Sequence, residues 1–226
     1  MLELIEKYDF WAAVLNTLQL TFWGALWALI IGTVVAVMRL SPVKSLQWAG
    51  STYVTLFRNT PLTMIVVAAS LVLWTQLNIH LANQDSPTYV IDNGMRLAIL
   101  ALAVYHAAFV CESIRSGVNT IPVGQAEAAR SLGMSFGQNL RHVVLPQAFR
   151  GAITPLGNVL IALTKNTTVV VAIGVVQISH TMRRMIEFRS DKLFEIFGLV
   201  ALAFVVITLP MGLLTGWASE KWAVKR

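Results

Sequence analysis

The sequence predicts an all-α integral membrane protein with five transmembrane helices, and two observations support this fold class. Of the 226 residues, 56% are hydrophobic and only 12% are charged, whereas soluble domains carry about 25% charged residues. The apolar residues also form long windows with almost no charge, and a bilayer core of about 30 Å requires roughly 20 such residues in each helix. Lipid is therefore expected to be the solvent for much of the protein surface.

Each predicted span is centred on a window with almost no charged residues. The spans cover about residues 12–38, 60–80, 95–113, 152–178 and 196–217. The third window is the shortest, because Arg96 and Glu112 bound it closely. The fourth is interrupted by Lys165. Pro42 is expected to mark the end of the first helix, and Pro61 is expected in the first turn of the second, where a missing N–H does no harm.

The distribution of Lys and Arg predicts the orientation. These residues are most frequent in three segments that would share one side of a five-span protein, namely 39–58, 115–150 and 220–226. The positive-inside rule places that side in the cytoplasm, which gives an N-out, C-in topology. The basic segment 183–192 on the other side opposes this orientation. Because topology explains the net charge of +6, nucleic acid is not expected as a partner.

Several kinds of chemistry are not expected. Cys111 is the single cysteine, so it cannot form an internal disulfide. No metal site is predicted, because metal-ligand spacing is absent around the histidines His80, His106, His142 and His180. The sequence contains no G-x-x-x-x-G-K-[ST] loop, so no nucleotide or other cofactor is expected on this chain. An enzyme is the distant alternative, since only Lys165 and Glu112 are candidate catalytic groups within the spans.

A polar stretch, 125–146, stands out between the apolar windows and reads QAEAARSLGMSFGQNLRHVVLP. Residues 126–130 are strong helix formers, and Gly133 can end that helix in a left-handed conformation. Ser135 can cap a second helix with Gln138 at the third position, as in a capping box. Such short helices do not persist alone in water. The stretch is interpreted either as a docking element or as a solvated linker.

The spacing of this stretch resembles that of a known family. Glu127-Ala128-Ala129, three residues, Gly133, nine residues, Val143, one residue and Leu145-Pro146 resemble the EAA loop of permease subunits of binding-protein-dependent ABC importers. Val143 stands where Ile is usual. Further segments resemble the polar amino-acid subgroup of these permeases: 58–62 (RNTPL), 113–117 (SIRSG), 121–122, 124–125, 132–135, 144–148 and 165–168 (KNTT).

The resemblance implies the type I ABC importer permease fold over residues 15–217, with a cytoplasmic coupling loop at 115–150. It also implies a bacterial cytoplasmic membrane location and several partners: an ATPase dimer that binds ATP and Mg, a second permease subunit and an external substrate-binding protein. The residues that it assigns to ATPase coupling are Glu127, Ala128, Ala129, Arg130 and Gly133. The outer segment 181–192 is a candidate docking surface for the binding protein, or a loop without a partner.

Lys165 is the clearest charge within a predicted span, where insertion costs about 2.5–3.5 kcal/mol. The residues that follow, Asn166, Thr167 and Thr168, could support an interrupted helix that lines a pathway. Lys165 is predicted either to attract a substrate carboxylate or to pair with Glu112 or with backbone carbonyls. Glu112, beside Arg115, is a further pathway candidate but is favoured as a structural or gate residue.

The substrate is predicted from the same region. Many permeases of this subgroup carry Asp after the Lys, so Asn166 removes a negative charge and favours an anionic substrate. RNTPL, LTKNTT and LPMGL most resemble permeases of actinobacterial glutamate uptake systems. This resemblance implies glutamate and a paralogous second permease. Glutamine, aspartate or another polar amino acid is the alternative.

Overall fold

A computed structural model describes residues 2–222, and this part of the chain consists of helices and their connections without a β-strand. The helices are α1 (Leu2–Lys7), α2 (Phe10–Leu40), α3 (Lys44–Asn59), α4 (Leu62–Ala68), α5 (Tyr89–Val118), α6 (Val123–Ser131), α7 (Phe136–Asn139), α8 (Leu145–Gly151), α9 (Ile153–Asn166), α10 (Ile178–Phe188) and α11 (Leu193–Trp222). Helix α4 continues as a π-helix over Ala69–Gln76, and helix α9 continues as a 3₁₀-helix over Thr167–Ile173.

Four stretches in the described part are long and apolar enough to cross a membrane, and a bent helix pair would make a fifth. The four are α2, α5, α9 with its 3₁₀ continuation, and α11. The pair is α3 and α4 with its π continuation, which meet at 103°. Thr60 causes the bend because the residue before a proline is extended (φ −98°, ψ 130°). The predicted second span, 60–80, therefore starts where expected but ends earlier, at Gln76.

The central helix of the fold is α5, which extends well beyond the charge-free window that predicted it. In a membrane-spanning window of α5, 67% of the residues are buried, compared with 17% for α11. The helix continues past Arg96 because the Arg96 guanidinium donates to the carbonyl of Leu81. It continues past Glu112 because that carboxylate pairs with Arg39. A flanking charge therefore marked where a polar partner lies, and not where the helix ends.

Three apolar clusters hold the helices together at successive levels. One contains Val35 and Ile114 and joins α2, α3, α5 and α8. The middle cluster contains Leu20 and Leu102 and joins α2, α4 and α5 to the 3₁₀ segment. The third contains Leu4, Phe10, Ile178, Met185 and Ile196, and it fixes the short α1 against α10 and α11. Alanines such as Ala28 and Ala108 let the helices approach closely, as is typical of membrane bundles.

The segments between the spans collect at two ends of the bundle. We call one the loop end (residues 41–58, 117–150 and 219–222) and the other the N-terminal end (residues 2–9, 77–92 and 174–192). Leu40, Gln47, Ala126 and Arg130 line a common cleft at the loop end. At the N-terminal end, Glu3 pairs with Arg189. The two ends of the described chain thus lie at opposite ends of the bundle, and the N-out, C-in orientation stays a prediction.

Candidate functional site

The helix α6 begins and ends with well-defined caps. Its N-cap is Pro122, and Gly133 beyond its C-terminus has a φ of +81°. The N–H of Gly133 donates to the carbonyl of Arg130 at 2.9 Å, and the N–H of Met134 donates to that of Ala129 at 3.2 Å. These two bonds form a Schellman motif. The predicted left-handed conformation at Gly133 is confirmed.

The helix α7 starts with the predicted capping box. The Ser135 hydroxyl accepts from the N–H of Gln138 at 3.4 Å, and the Gln138 side-chain oxygen accepts from the N–H of Ser135 at 2.8 Å. After α7 the chain forms a π-helical turn over Leu140–Val144. Pro146 then lies in the first turn of α8, so this short helix intervenes before the membrane helix α9.

Side-chain amides fold these short helices onto one another. The Asn139 amide donates to the carbonyl of Ala126 at 3.0 Å, and the Gln147 amide donates to the side-chain oxygen of Gln125 at 2.7 Å. Asn139 and Leu140 are buried beneath α6. The stretch 125–146 is therefore a folded unit and not an extended, solvated linker.

The two alanines of the predicted coupling motif face opposite ways. Ala129 is buried, whereas Ala128 is exposed together with Glu127 and Arg130. Ala129 therefore allows α6 to pack on the rest of the chain, and its neighbours present the outer face. Gly133 has open space around it, since no heavy atom lies within 4 Å of a Cβ built there.

Two apolar residues on this outer face carried no predicted role. Leu132 is 82% exposed and Val123 is 72% exposed, at the two ends of α6. Single exposed apolar side chains are common on protein surfaces, so the exposure shows only that Leu132 and Val123 are accessible to another molecule. The sequence alone cannot distinguish an inward from an outward apolar residue at these positions.

The base of the loop is a close contact between α5 and α8. A Cβ built on Gly117 would lie 2.0 Å from the carbonyl oxygen of Ala148 and 3.1 Å from the Cβ of Ala152. Ala148 and Ala152 are both fully buried. The start and the end of the loop are thus in close backbone contact at the ends of α5 and α8.

The predicted pathway segment around Lys165 lies where α9 changes into a 3₁₀-helix. The hydroxyl of Thr167 donates to the carbonyl of Thr164 at 2.7 Å, and that of Thr168 donates to the carbonyl of Lys165 at 2.8 Å. These threonines therefore satisfy the backbone locally, at the irregular point that the sequence predicted. Lys165 is exposed, and within residues 2–222 its ammonium has neither an ion pair nor a hydrogen bond.

Glu112 is not near enough to Lys165 to pair with it. Its carboxylate pairs with Arg39, and it lies 3.7 Å from the guanidinium of Arg115. The alternative in which Lys165 pairs with Glu112 is therefore wrong in this structure. Glu112 instead joins α5 to the end of α2, an arrangement that agrees with a structural or gate residue.

A buried histidine supports the pathway segment from α5. The Asn166 amide nitrogen lies 3.1 Å from Nε2 of His106, and Nδ1 of His106 lies 2.8 Å from the carbonyl oxygen of Leu102. If Nδ1 donates to that carbonyl, Nε2 is free to accept from Asn166. The sequence predicted only that His106 is not a metal ligand, and the structure shows that it is fully buried. Its contact with Asn166, 60 residues away, could not be found from local pattern.

Comparison with known proteins identifies the family. Residues 28–221 match the model of the family described as "Binding-protein-dependent transport system inner membrane component". The chain belongs to this family. It is therefore a membrane permease subunit with the type I ABC permease fold, and the predicted family is confirmed.

Individual relatives of this permease cover most of its length. It is 49% identical to the glutamate transport system permease protein GluC of Corynebacterium glutamicum, over 93% of this chain and 92% of the relative. It is 32% identical to the probable glutamine ABC transporter permease protein GlnM of Bacillus subtilis, over 81% and 79%. The crystal structure of an amino acid ABC transporter with histidines superposes with a TM-score of 0.76 at 28% identity, and 96% of each chain is covered.

Proposed function

We propose that this permease is one of two membrane subunits that import glutamate, delivered by an external binding protein and driven by ATP hydrolysis on a separate ATPase dimer. The chain would bind no cofactor of its own, and ATP and Mg would bind to the partner subunits. The loop end would face the cytoplasm, in the N-out, C-in orientation. The second permease would be a paralogue of this chain.

The identity to a glutamate permease, 49% over nearly the whole chain, is the main support for the substrate. The site adds a chemical reason. The Lys165 ammonium is exposed and unpaired by any described carboxylate, and the neighbouring Asn166 and His106 form a neutral contact. A cation beside neutral amide and hydroxyl groups suits the side-chain or main-chain carboxylate of glutamate. The glutamine-permease relative makes glutamine the second candidate.

The outer face of α6 would be the surface that docks on the ATPase. Leu132 and Val123 would enter an apolar groove, and Glu127 and Arg130 would contact polar groups at its edge. Because Gly117 and Ala148 hold the loop base together, movement of α6 would rotate α5 and α9 as one body. The family resemblance assigned ATPase coupling to Glu127, Ala128, Ala129, Arg130 and Gly133. Of these, buried Ala129 would act by positioning α6.

The substrate is tested with the complete complex in proteoliposomes. ATPase activity is measured with binding protein loaded with glutamate, glutamine, aspartate, arginine or histidine. Glutamate should stimulate ATPase activity most. Stimulation by arginine or histidine without stimulation by glutamate would overturn the proposal.

The role of Lys165 is tested in the same system. Lys165→Met should reduce glutamate uptake at least ten-fold, a loss of about 1.4 kcal/mol, and Lys165→Arg should retain part of it. Lys44→Met is the matched control, because Lys44 is also exposed but lies at the loop end. Equal uptake by Lys165→Met and Lys44→Met would show that Lys165 does not bind substrate.

Orientation is tested by labelling Leu132→Cys in intact cells and in inverted vesicles. Cys111 is buried, so it gives little background. A membrane-impermeant thiol reagent should label the variant only in inverted vesicles. Labelling in intact cells would contradict the N-out, C-in topology.

The nature of the second permease is tested by expressing this chain with and without the permease encoded by the neighbouring gene. Transport that requires both chains would support a paralogue, and transport by this chain without the other would show that the partner is a second copy.

A further inference from the structure

A basic cleft lies at the loop end, away from the outer face of α6. It has a volume of about 530 Å³ and is lined by Phe149, Arg150, Ile153, Lys221 and Trp222. It opens between the junction of α8 with α9 and the last turn of α11. A hydrogen bond of 2.7 Å between the hydroxyls of Thr154 and Ser219 joins α9 and α11 at this level. The cleft is therefore a defined gap between two connected helices.

The charges of the cleft are all positive. Arg150 and Lys221 are both exposed, and neither forms an ion pair with a carboxylate of the described chain. The ammonium of Lys221 lies 5.0 Å from the ring centre of Trp217, which holds it near the end of α11. Ile153, the first residue of α9, also lines the cleft, and a helix N-terminus favours an anion. Among the described lining residues, the charged groups that an anion would meet are Arg150 and Lys221.

The walls of the cleft suit an acyl chain better than a free ion. Phe149, Ile153 and Trp222 form its apolar part, and it adjoins α11, which has the least buried membrane window in the described chain. Trp217 and Trp222 lie in the last turns of α11, and tryptophan is enriched at the membrane–water interface. Basic pockets between transmembrane helices on the cytoplasmic side are known sites for anionic lipid head groups.

We propose that this cleft binds an anionic phospholipid, with the phosphate between Arg150 and Lys221 and an acyl chain along the exposed side of α11. The bound lipid would join α8, at the base of the coupling loop, to α11. The inference rests on the proposed function only in placing the loop end in the cytoplasmic leaflet. Substrate identity does not enter it.

The experiment measures lipid retained by the full chain in its purified transporter complex, by native mass spectrometry after exchange into equal parts of phosphatidylglycerol and phosphatidylcholine. A basic residue that contacts an anionic head group contributes about 1 kcal/mol, which is about five-fold in binding. Arg150→Gln and Lys221→Gln should each lower the preference for phosphatidylglycerol by about five-fold. The variant with both Arg150→Gln and Lys221→Gln should lose most of the preference for phosphatidylglycerol, and Arg150→Lys should retain that preference.

Lys44→Gln is the matched control, since it removes the same charge from the same end of the bundle but outside the cleft. Its preference for phosphatidylglycerol should equal that of the wild type. An equal loss in Lys44→Gln, or an unchanged preference in the double variant, would overturn the proposal. Displacement of the lipid by millimolar inorganic phosphate would indicate a phosphate site instead. Crosslinking of Ile153→Cys to a partner subunit would show that protein covers the cleft, and would equally overturn it.

Each of these outcomes is independent of glutamate transport. A complex that imports glutamate but shows no cleft-dependent lipid preference would leave the proposed function intact. A complex that retains the lipid but imports another amino acid would leave the lipid site intact.

Discussion

The loop itself, residues 117–150, is held together by backbone contact and neutral amide hydrogen bonds, whereas ion pairs over an apolar cluster hold α1 at the N-terminal end. The ion pair of Arg39 with Glu112 lies just outside the loop. At the loop end, Gly117 meets Ala148, and the amides of Asn139 and Gln147 join α6 to α7 and α8. Within residues 116–150 of the described chain no ion pair contributes. At the N-terminal end, Glu3 pairs with Arg189 at 2.7 Å and with Lys192 at 3.1 Å.

The difference indicates which end must be stiff. Close backbone contacts are insensitive to salt and pH, and they cannot shift without displacing a helix. Exposed ion pairs are weak and are screened by salt. Under the proposed function the loop would transmit the movement of an ATPase, and contacts of the first kind suit that task. For a short surface helix such as α1, exposed ion pairs are sufficient, because Leu4 and Tyr8 already anchor this segment in the apolar cluster.

The largest effect is expected at the loop base. Gly117→Ala would place a Cβ 2.0 Å from a backbone oxygen, so α8 must move away from α5. Overpacking of this kind costs about 1–3 kcal/mol or more, and we expect lower thermal stability and loss of transport by the complex. Gly124→Ala is the control within the same loop, because nothing lies within 4 Å of its Cβ. Equal stability and uptake in the two variants would show that the loop base is not a tight contact.

The next effect is expected at Gly133, where backbone conformation and partner docking can be separated. The φ of Gly133 is +81°, so among replacements Asn is tolerated best. Relative to Gly, Ala should lower the free energy of unfolding by about 1 kcal/mol, and a β-branched residue should lower it more. Stability of the isolated chain should therefore fall in the order Asn, Ala, Val. Gly133→Asp should leave the chain in the membrane, since Asp also tolerates this conformation. It should abolish transport if the loop docks as proposed, because the new charge would then face the ATPase.

The measurements for this series are thermal unfolding of the isolated chain and uptake by the complex. If uptake followed stability through all four variants, Gly133 would matter only for the shape of the loop. Uptake lost in Gly133→Asp at near-normal stability would support a surface that contacts the ATPase. Normal uptake by Gly133→Asp would contradict the coupling role of this loop.

The features that the sequence predicted correctly are those set by neighbouring residues. Gly133, the Ser135 capping box and the helix end before Pro42 each depend on residues a few positions apart, and local steric and hydrogen-bonding rules decide them. Four of the predicted apolar windows coincide with helices long and apolar enough to cross a membrane, and these follow from hydropathy alone. One local prediction was incomplete, because α3 meets α4 at a bend of 103° and the second span ends at Gln76 and not at residue 80.

The features that could not be predicted depend on pairs distant in sequence. Arg39 and Glu112 are 73 positions apart, and the contacts of His106 with Asn166 and of Gly117 with Ala148 are also long-range. No local pattern distinguishes these partners from others of the same type. The sequence could identify Lys165 and Glu112 as unusual charges, but only the packing of α2 against α5 shows that Glu112 already has a partner.

The smallest effect is expected at the N-terminal end, where it should depend on pH. The hydrogen bond from Lys192, followed by that from Arg189, lowers the pKa of Glu3 below its ordinary value of 4.5. A lowered pKa in the folded state means that the ion pair stabilises α1 fully above about pH 4.5, and that this contribution is lost as the pH falls through the lowered pKa. Because Glu3 is exposed, salt should weaken the same contribution.

The measurement is the rate at which a thiol reagent labels Leu4→Cys, a buried position in α1, compared at each pH between chains with Glu3 and with Glu3→Gln. The ratio of the two rates cancels the reagent's own pH dependence. Glu3→Gln should label faster at neutral pH, and the rates should converge as Glu3 is protonated or as salt rises. Glu6→Gln is the control, since Glu6 is exposed on the same helix and has no ion pair in the described structure. A ratio that stays constant with pH and salt would mean that the apolar cluster alone holds α1. The ion pairs would then not distinguish the N-terminal end from the loop.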